Sequence, residues 1–482
     1  MRDLTKPRAT APFLRRRLPW EVLITALAGV LYTVAAFSKP PWHDELFTRR
    51  LSAHPLAGIL DGLKSDSGPP LYYFLMHVWG GLFGDDGAVL RLFSALCILT
   101  AGWIFVRIMK RIQVPLPASA LLVLFYLFPL NLFYAVEARA YALLMLLVWI
   151  FLDILFSSRR VWALSLVFAL MLYTHNLAVL YLPLLILLPF VMRRWRLLGV
   201  PVIAGLAYWP FLSTLLSQPK ESILWMQEPF SAAKIISFLS AMGPMGPAFP
   251  MVPISLLPRD GAFVVPLFVA ACAAGIALAG LVHREGAVRV CALGFIVTGA
   301  ALLGTSALFV NIYFPSRGEA LVFPFFLVTV LSVLGMFKPF VVRPFAACVL
   351  LLLLIQTILW IPSLPDQRPL GMVVDHMKPY AKNDARIFIL GPWKLTLDYY
   401  FEKAGAHPET FIVPRDQREH PGWYRCERFT PMEARRLREE AGTAPAYLFS
   451  DTGNPCDAGL HSAFPDLEIL GATGPLYFAR IR

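Results

Sequence analysis

Of the 482 residues, 57% are hydrophobic and only 15% are charged, against roughly 25% in soluble domains. This composition excludes an ordinary soluble enzyme and points to a polytopic membrane protein. The 43 Lys and Arg against 31 Asp and Glu give a net charge of +12, but the basic residues sit in short clusters between apolar runs, which encodes topology rather than a nucleic-acid surface.

A transmembrane helix needs about 20 mostly apolar residues. The basic segment Met1–Arg17 leads into Leu18–Ser38, which is too long for a signal peptide and lacks a small-residue cleavage site before Pro40. It reads as a retained first span, with Arg15-Arg16-Arg17 holding the N-terminus in the cytoplasm. The following stretch, from Lys39 to Asp86, is too polar to span. It opens on Pro40-Pro41-Trp42-His43-Asp44-Glu45, where two prolines stop the preceding helix and bring adjacent carboxylates out of the lipid at once. Acids at such a boundary are costly and usually have a role. Pro70–Phe83 is apolar but short, and reads as an interfacial helix with Tyr72, Tyr73 and Trp79 anchored among headgroups.

Further spans are expected at Ala88–Val106, Leu116–Ala135, Ala140–Phe156, Val161–Thr174, Leu177–Met192 and Leu197–Leu216. A long loop, Ser217–Asp260, carries Lys220 and an amphipathic segment at Ser231–Ala241. Four more spans follow, at Gly261–Val282, Val288–Phe309, Glu319–Phe337 and Pro344–Ile361, making eleven. Basic clusters around residues 15–17, 107–111, 159–160, 193–196, 284–289 and 338–343 all fall on one side, so the positive-inside rule holds at every turn. The tail then lies outside, as do Asp44, Glu45, Asp66, Glu137, Arg139, His175, Lys220 and Arg317.

The predicted architecture is thus an α-helical polytopic membrane module over residues 1–361, with outer loops 39–87 and 217–260 and an N-in/C-out topology. Residues 362–482 form a small α/β domain in the periplasm. In that tail Arg386–Leu390, Glu409–Val413, Tyr447–Ser450 and Leu476–Arg480 read as strands, and Thr396–Ala404 and Pro431–Ala441 as helices. Cys97, Cys272, Cys291 and Cys348 fall in apolar runs, while Cys426 and Cys456 lie in the tail, where an oxidising compartment would permit a disulfide. Neither a CxxC nor a Cys/His metal spacing occurs.

Trp42-His43-Asp44-Glu45, then Asp66-Ser67-Gly68-Pro69-Pro70-Leu71-Tyr72-Tyr73, then Gly84-Asp85 through Arg91-Leu92-Phe93-Ser94 come in one order and spacing. Glu137-Ala138-Arg139-Ala140-Tyr141 and Tyr173-Thr174-His175-Asn176 continue it. With these motifs, spread over the first six spans, the sequence resembles the C-type integral-membrane glycosyltransferases. The resemblance is to their bacterial family 39 branch, related to protein O-mannosyltransferases and lipid A aminoarabinose transferases.

That resemblance implies an inverting glycosyltransferase of the bacterial inner membrane. Such an enzyme moves a hexosyl or pentosyl group from a polyprenyl-phosphate donor to a lipid, glycan or protein acceptor at the outer face. It implies Asp44 as catalytic base, with Glu45 supporting it or binding the acceptor or a divalent ion (Mg or Mn), and it places Arg317 where the family often carries a phosphate-binding Arg.

The residues themselves agree with this chemistry, because transfer needs a base for the acceptor hydroxyl and cationic help for the leaving phosphate. Arg139, His175 and Lys220 are donor-phosphate candidates beside Arg317; Asp66 and Glu137 are candidates for a second acid or an acceptor contact. Each has a plainer reading: a rim ion pair for Glu137 and Arg139, a helix-end histidine for His175, and a turn before Gly68-Pro69-Pro70 for Asp66. The alternative function is a polytopic transporter or lipid-carrier flippase, against which stand span interiors almost free of charge and the lack of a repeat. A membrane-anchored assembly protein would leave the outer cluster of Asp, Glu, Arg and His without purpose.

Overall fold

The computed structural model describes residues 18–482 except Ser67, Arg159, residues 219–229 and 244–263, Ser316, residues 364–368, 391–392, 414–430 and 452–459, His461, Asp466, residues 474–475 and Arg482. Lys220, Cys426, Cys456 and the basic segment before Leu18 lie outside the described residues.

In chain order the helices are α1 (Leu18–Ser38), α2 (His43–Ser52), α3 (Leu56–Gly62), α4 (Pro70–Phe83), α5 (Gly87–Arg111), α6 (Ala118–Leu127), α7 (Pro129–Ala135), α8 (Tyr141–Ser157), α9 (Val161–Thr174), α10 (Leu182–Met192) and α11 (Gly199–Ser217). They continue with α12 (Ala232–Ser240), α13 (Val264–Leu281), α14 (Gly286–Leu308), α15 (Glu319–Leu334) and α16 (Pro339–Ser363). The tail holds α17 (Pro369–Met377), β1 (Arg386–Leu390), α18 (Lys394–Lys403), β2 (Glu409–Val413), α19 (Pro431–Ala441), β3 (Ala446–Asp451), β4 (Glu468–Thr473) and β5 (Leu476–Arg480). All the expected apolar runs are helical. Among the described residues five helices are long and apolar enough to cross a membrane, or six if the pair α6 and α7, bent by 65°, is one span. Shorter apolar helices occupy the remaining expected runs.

The chain divides into two compact units, one of residues up to Phe37 with Pro55–Pro362, the other of Ser38–His54 with Ser363–Arg482. The first is a helical bundle. Its centre is aromatic: Phe105 of α5 stacks on Phe125 of α6 at 5.0 Å, and Trp149 of α8 lies 5.3 Å and 5.8 Å from the two rings. Gly102 lets α5 approach α6, since a Cβ there would collide with the Tyr126 ring. The break after α6 comes from Pro129, which cannot donate to the preceding turn. Its freed groups are satisfied inside the protein: the Asn131 Nδ2–H donates to Phe125 O at 2.7 Å, and the Tyr32 hydroxyl to Tyr126 O at 2.8 Å.

The helix expected at Pro70–Phe83 is present, but two of its aromatic residues are not headgroup anchors. Tyr72 and Tyr73 are buried, Tyr72 lies 6.4 Å from Phe93, and the Trp79 Nε1–H donates to Val89 O at 2.9 Å. The Pro-Pro-Leu-Tyr-Tyr and Arg-Leu-Phe-Ser motifs therefore pack against each other. Arg91, itself buried, donates to Ala36 O at 2.7 Å, and the Ser94 hydroxyl donates to Glu137 O at 2.6 Å, tying α5 to α1 and to the chain that follows α7.

In the second unit the sheet order is β2-β1-β3-β5-β4, with β2, β1 and β3 parallel and β3, β5 and β4 antiparallel. Parallel neighbours need helical crossovers, and α18 and α19 supply them. Alternation along β1 sorts the two cores: Ile387 and Ile389 face Val374, Met377, Leu397 and Phe401, while Phe388 and Leu390 face Ala434, Leu437 and Ala441. The helix α2 joins this unit through Arg49, whose guanidinium lies 3.6 Å from Glu402 and 5.9 Å from the Tyr399 ring of α18.

Candidate active site

The acid pair sits in the first turn of α2. The helix starts because Pro40 and Pro41 end the previous one and extended Trp42 forms its N-cap. Asp44 and Glu45 then complement the positive end of the helix dipole. They differ in environment. Glu45 is buried, and its Oε2 accepts the Trp42 backbone N–H at 3.3 Å, so its carboxylate closes the helix start. Asp44 is half-buried, and its carbonyl accepts the Thr48 hydroxyl at 3.0 Å.

The basic candidates belong to the helical unit. Arg139 follows α7, His175 terminates α9, and Arg317 precedes α15. His175 feels the charge of both arginines. Its proton affinity is pushed down to about 3, first by enclosure in the protein and then by the positive charges of Arg139 and Arg317, although part of the residue remains exposed. The ring is therefore neutral near pH 7. Nδ1 accepts the Leu177 backbone N–H at 3.2 Å, which leaves Nε2 as the N–H donor, and the ring lies 5.3 Å from that of Tyr141. The arrangement offers two guanidiniums and one neutral N–H, a donor set suited to an anion.

Two residues absent from the sequence reading complete this region. Glu319, fully buried at the start of α15, accepts the Tyr313 hydroxyl at 2.9 Å. Burial, followed by the Glu319 charge, pushes the Tyr313 phenol well above its ordinary range. The only signal in the sequence was an acid opening an otherwise apolar run. The Arg317 guanidinium carbon lies over the Phe314 ring, 5.0 Å from its centroid, within cation–π range.

Glu137 is buried, with its backbone carbonyl held by Ser94. Asp66 ends the turn at Leu63–Ser65, and Gln218 Nε2 at the end of α11 donates to Leu63 O and Gly68 O at 3.0 and 3.1 Å. A Cβ on Gly68 would lie 3.3 Å from the Asp66 carboxylate, so the acid is folded against its own turn. Among the described residues no three Asp, Glu, His or Cys side chains gather into a group that could hold a metal ion, and the Oε2 of Glu45 accepts the Trp42 N–H.

No protein-family model matches the chain, and no curated sequence matches it. Solved structures do. ArnT from Cupriavidus metallidurans in the apo state is 16% identical, with a TM-score of 0.56 over 96% of this chain and 97% of that one. The chain has the ArnT fold. ArnT bound to undecaprenyl phosphate gives a TM-score of 0.55 at 12% identity, covering 96% of this chain and 98% of that one. The arabinofuranosyltransferase AftD from mycobacteria gives 0.51 at 16% identity, covering 96% of this chain and 40% of that one. The expected likeness to C-type membrane glycosyltransferases thus holds at the level of fold, with the ArnT fold spanning bundle and tail alike.

Proposed function

We propose that the chain is an inverting glycosyltransferase that moves a sugar from a polyprenyl-phosphate donor to a lipid, glycan or protein acceptor at the outer face of the inner membrane. The observation that carries this reading is a fold like that of ArnT, a protein seen bound to undecaprenyl phosphate; the positive charges of Arg139 and Arg317, both of which act on His175, support it. Eleven spans with a cytoplasmic N-terminus and an outer tail complete the reading, supported by the placement of the basic clusters.

In this reading Asp44 takes the proton of the acceptor hydroxyl. The acceptor oxygen attacks the anomeric carbon from the face opposite the phosphate, the bond from that carbon to the phosphate oxygen breaks, and the configuration inverts. The leaving polyprenyl phosphate gains negative charge, which Arg139 and Arg317 neutralise while His175 donates from Nε2. Lys220 is a further phosphate candidate. Glu137 and Asp66 are candidates for a second acid or an acceptor contact, and Glu45 keeps the turn that carries Asp44.

The test is turnover of a panel of undecaprenyl-phosphate sugars by purified protein in proteoliposomes, with and without Mg. Wild type should release undecaprenyl phosphate, and Asp44→Asn should lower kcat by about 10²–10⁴ at unchanged Tm, the range expected for a lost general base. Unchanged transfer by Asp44→Asn would remove the base assignment. Sided uptake of the lipid-linked sugar without hydrolysis or transfer would favour a flippase, a reading that can cite the broken span α6–α7.

A further inference from the structure

The acid-bearing helix, within residues 38–54, belongs to the same compact unit as the tail, almost the whole chain away. The contact runs between α2 and α18. Arg49, on the second turn after Asp44, sets its guanidinium 3.6 Å from Glu402 and 5.9 Å from the Tyr399 ring, and Lys403 lies 5.5 Å from that same ring. Tyr400 closes on Tyr399 at 5.3 Å, and Phe401 of the same helix is in the core of the sheet. From sheet to α18 to Arg49 to α2 the connection is continuous. Within α2 the Thr48 and Ser52 hydroxyls bond back to Asp44 O and Thr48 O, and Glu45 closes the start, so the short helix behaves as one piece.

We propose that Arg49 is a positioning residue: the tail unit sets the place of Asp44 by gripping α2 through Arg49, Tyr399 and Glu402. This rests on the reading of Asp44 as the base. It gives the tail a part in the chemical step, beyond any recognition of the acceptor. Arg fits the task better than Lys, because its flat guanidinium can face a ring and a carboxylate at once. Asp44 lies about 7–8 Å along the helix from Arg49, at roughly 1.5 Å per residue, so loosening one end of this short helix displaces the other. A misplacement of about 1 Å is worth up to about 10²-fold in rate.

The experiment uses full-length protein and the undecaprenyl-phosphate sugar that wild type turns over. Arg49→Ala and Tyr399→Leu should each lower kcat about ten-fold or more while the donor KM stays within about two-fold. The double variant should be no slower than the slower single, because both break one connection. Tyr399→Phe should recover most of the loss, and Arg49→Lys only part of it, since an ammonium keeps the charge but not the flat face. Hydrogen exchange gives a readout independent of turnover: amides of residues 43–52 should exchange faster in both single variants, with peptides of α5 and α8 unchanged. If Arg49→Ala fails to fold, Tyr399→Leu and Glu402→Gln carry the same measurements. Wild-type kcat in Arg49→Ala, fully additive losses, or wild-type exchange over 43–52 would each overturn the proposal. Faster exchange over 43–52 in a protein that turns over no polyprenyl-phosphate sugar would support the grip on α2 while removing the base reading.

Discussion

Arg107 grips Asp153 through two parallel hydrogen bonds, Nε to Oδ1 at 3.0 Å and Nη2 to Oδ2 at 2.6 Å, and Arg111 adds a third to Oδ1 at 3.0 Å. The carboxylate is mostly covered, while the Arg107 side chain is more than half exposed. This joins α5 to α8 at the end away from His175. Asp153→Asn should destabilise by about 1–2 kcal/mol, since it loses charge-assisted bonds that water partly screens on the arginine side. Thermal unfolding in detergent should show a Tm drop of a few degrees, with turnover per folded molecule unchanged. A large loss of kcat at constant Tm would mean the cluster does more than join helices.

His175 gives a pH signature. Its folded-state proton affinity lies below the unfolded value, so between about 3 and 6.5 the unfolded chain binds a proton that the folded chain refuses. Stability is therefore full above about pH 6.5 and falls as the pH is lowered toward 3. Wild type should lose up to about 2 kcal/mol between pH 7 and pH 5 through this residue, at about 1.4 kcal/mol per unit. His175→Gln should lose correspondingly less over that interval, read as Tm against pH in the two proteins. Equal losses would show that the ring titrates normally.

Arg139 and Arg317 should act on the donor. Arg139→Lys keeps the charge but loses the planar pair of donors, whereas Arg139→Ala loses both. The expected cost in kcat/KM for the lipid-linked sugar is about ten-fold for Lys and about 10²-fold for Ala, from the 1.5–3 kcal/mol of hydrogen bonds to charged groups. Arg317→Ala should fall in the same range. Because both cations hold the His175 proton affinity down, either Ala variant should also shift the histidine upward, visible in its ring resonances against pH. No change in either quantity would separate these arginines from the donor.

Glu45 and Asp44 should part company. Glu45→Gln keeps an oxygen to accept the Trp42 N–H and should retain at least about a tenth of kcat, whereas Glu45→Ala should lower stability by about 1 kcal/mol through the lost cap. A Glu45→Gln variant as inactive as Asp44→Asn would make both acids part of the chemistry.

Much of this was legible in the sequence. α1, α4, α9, β1, β2, α19 and β5 lie at the expected bounds, because each is a run of one periodicity ended by Pro, Gly or a charge cluster. α2 was not legible. His43-Asp44-Glu45-Leu46-Phe47-Thr48-Arg49-Arg50 has no dominant apolar face, and the helix it meets through Arg49 lies far away in the chain. β4 was missed because a bulge between Ile469 and Gly471 breaks its alternation. Tyr72 and Tyr73 were misplaced for a related reason: aromatic residues beside apolar runs suit a headgroup layer and a protein interior equally, and only packing on Phe93 decides. At the site, residue types could nominate Arg139, His175 and Arg317, but their shared neighbourhood and the neutrality of the ring depend on distances that spacing does not encode.

The bend at Pro129 fixes α7 as a spacer of set length. One end is pinned by Asn131 on Phe125 O, the other by Ser94 on Glu137 O, with seven helical residues between the bend and Val136. A single inserted residue there would turn everything downstream by about 100°. Glu137, Arg139 and Tyr141 would all leave their places together. The tolerance of this protein to length changes is therefore uneven: one extra alanine inside α7 should abolish function more completely than replacing any one side chain that α7 carries.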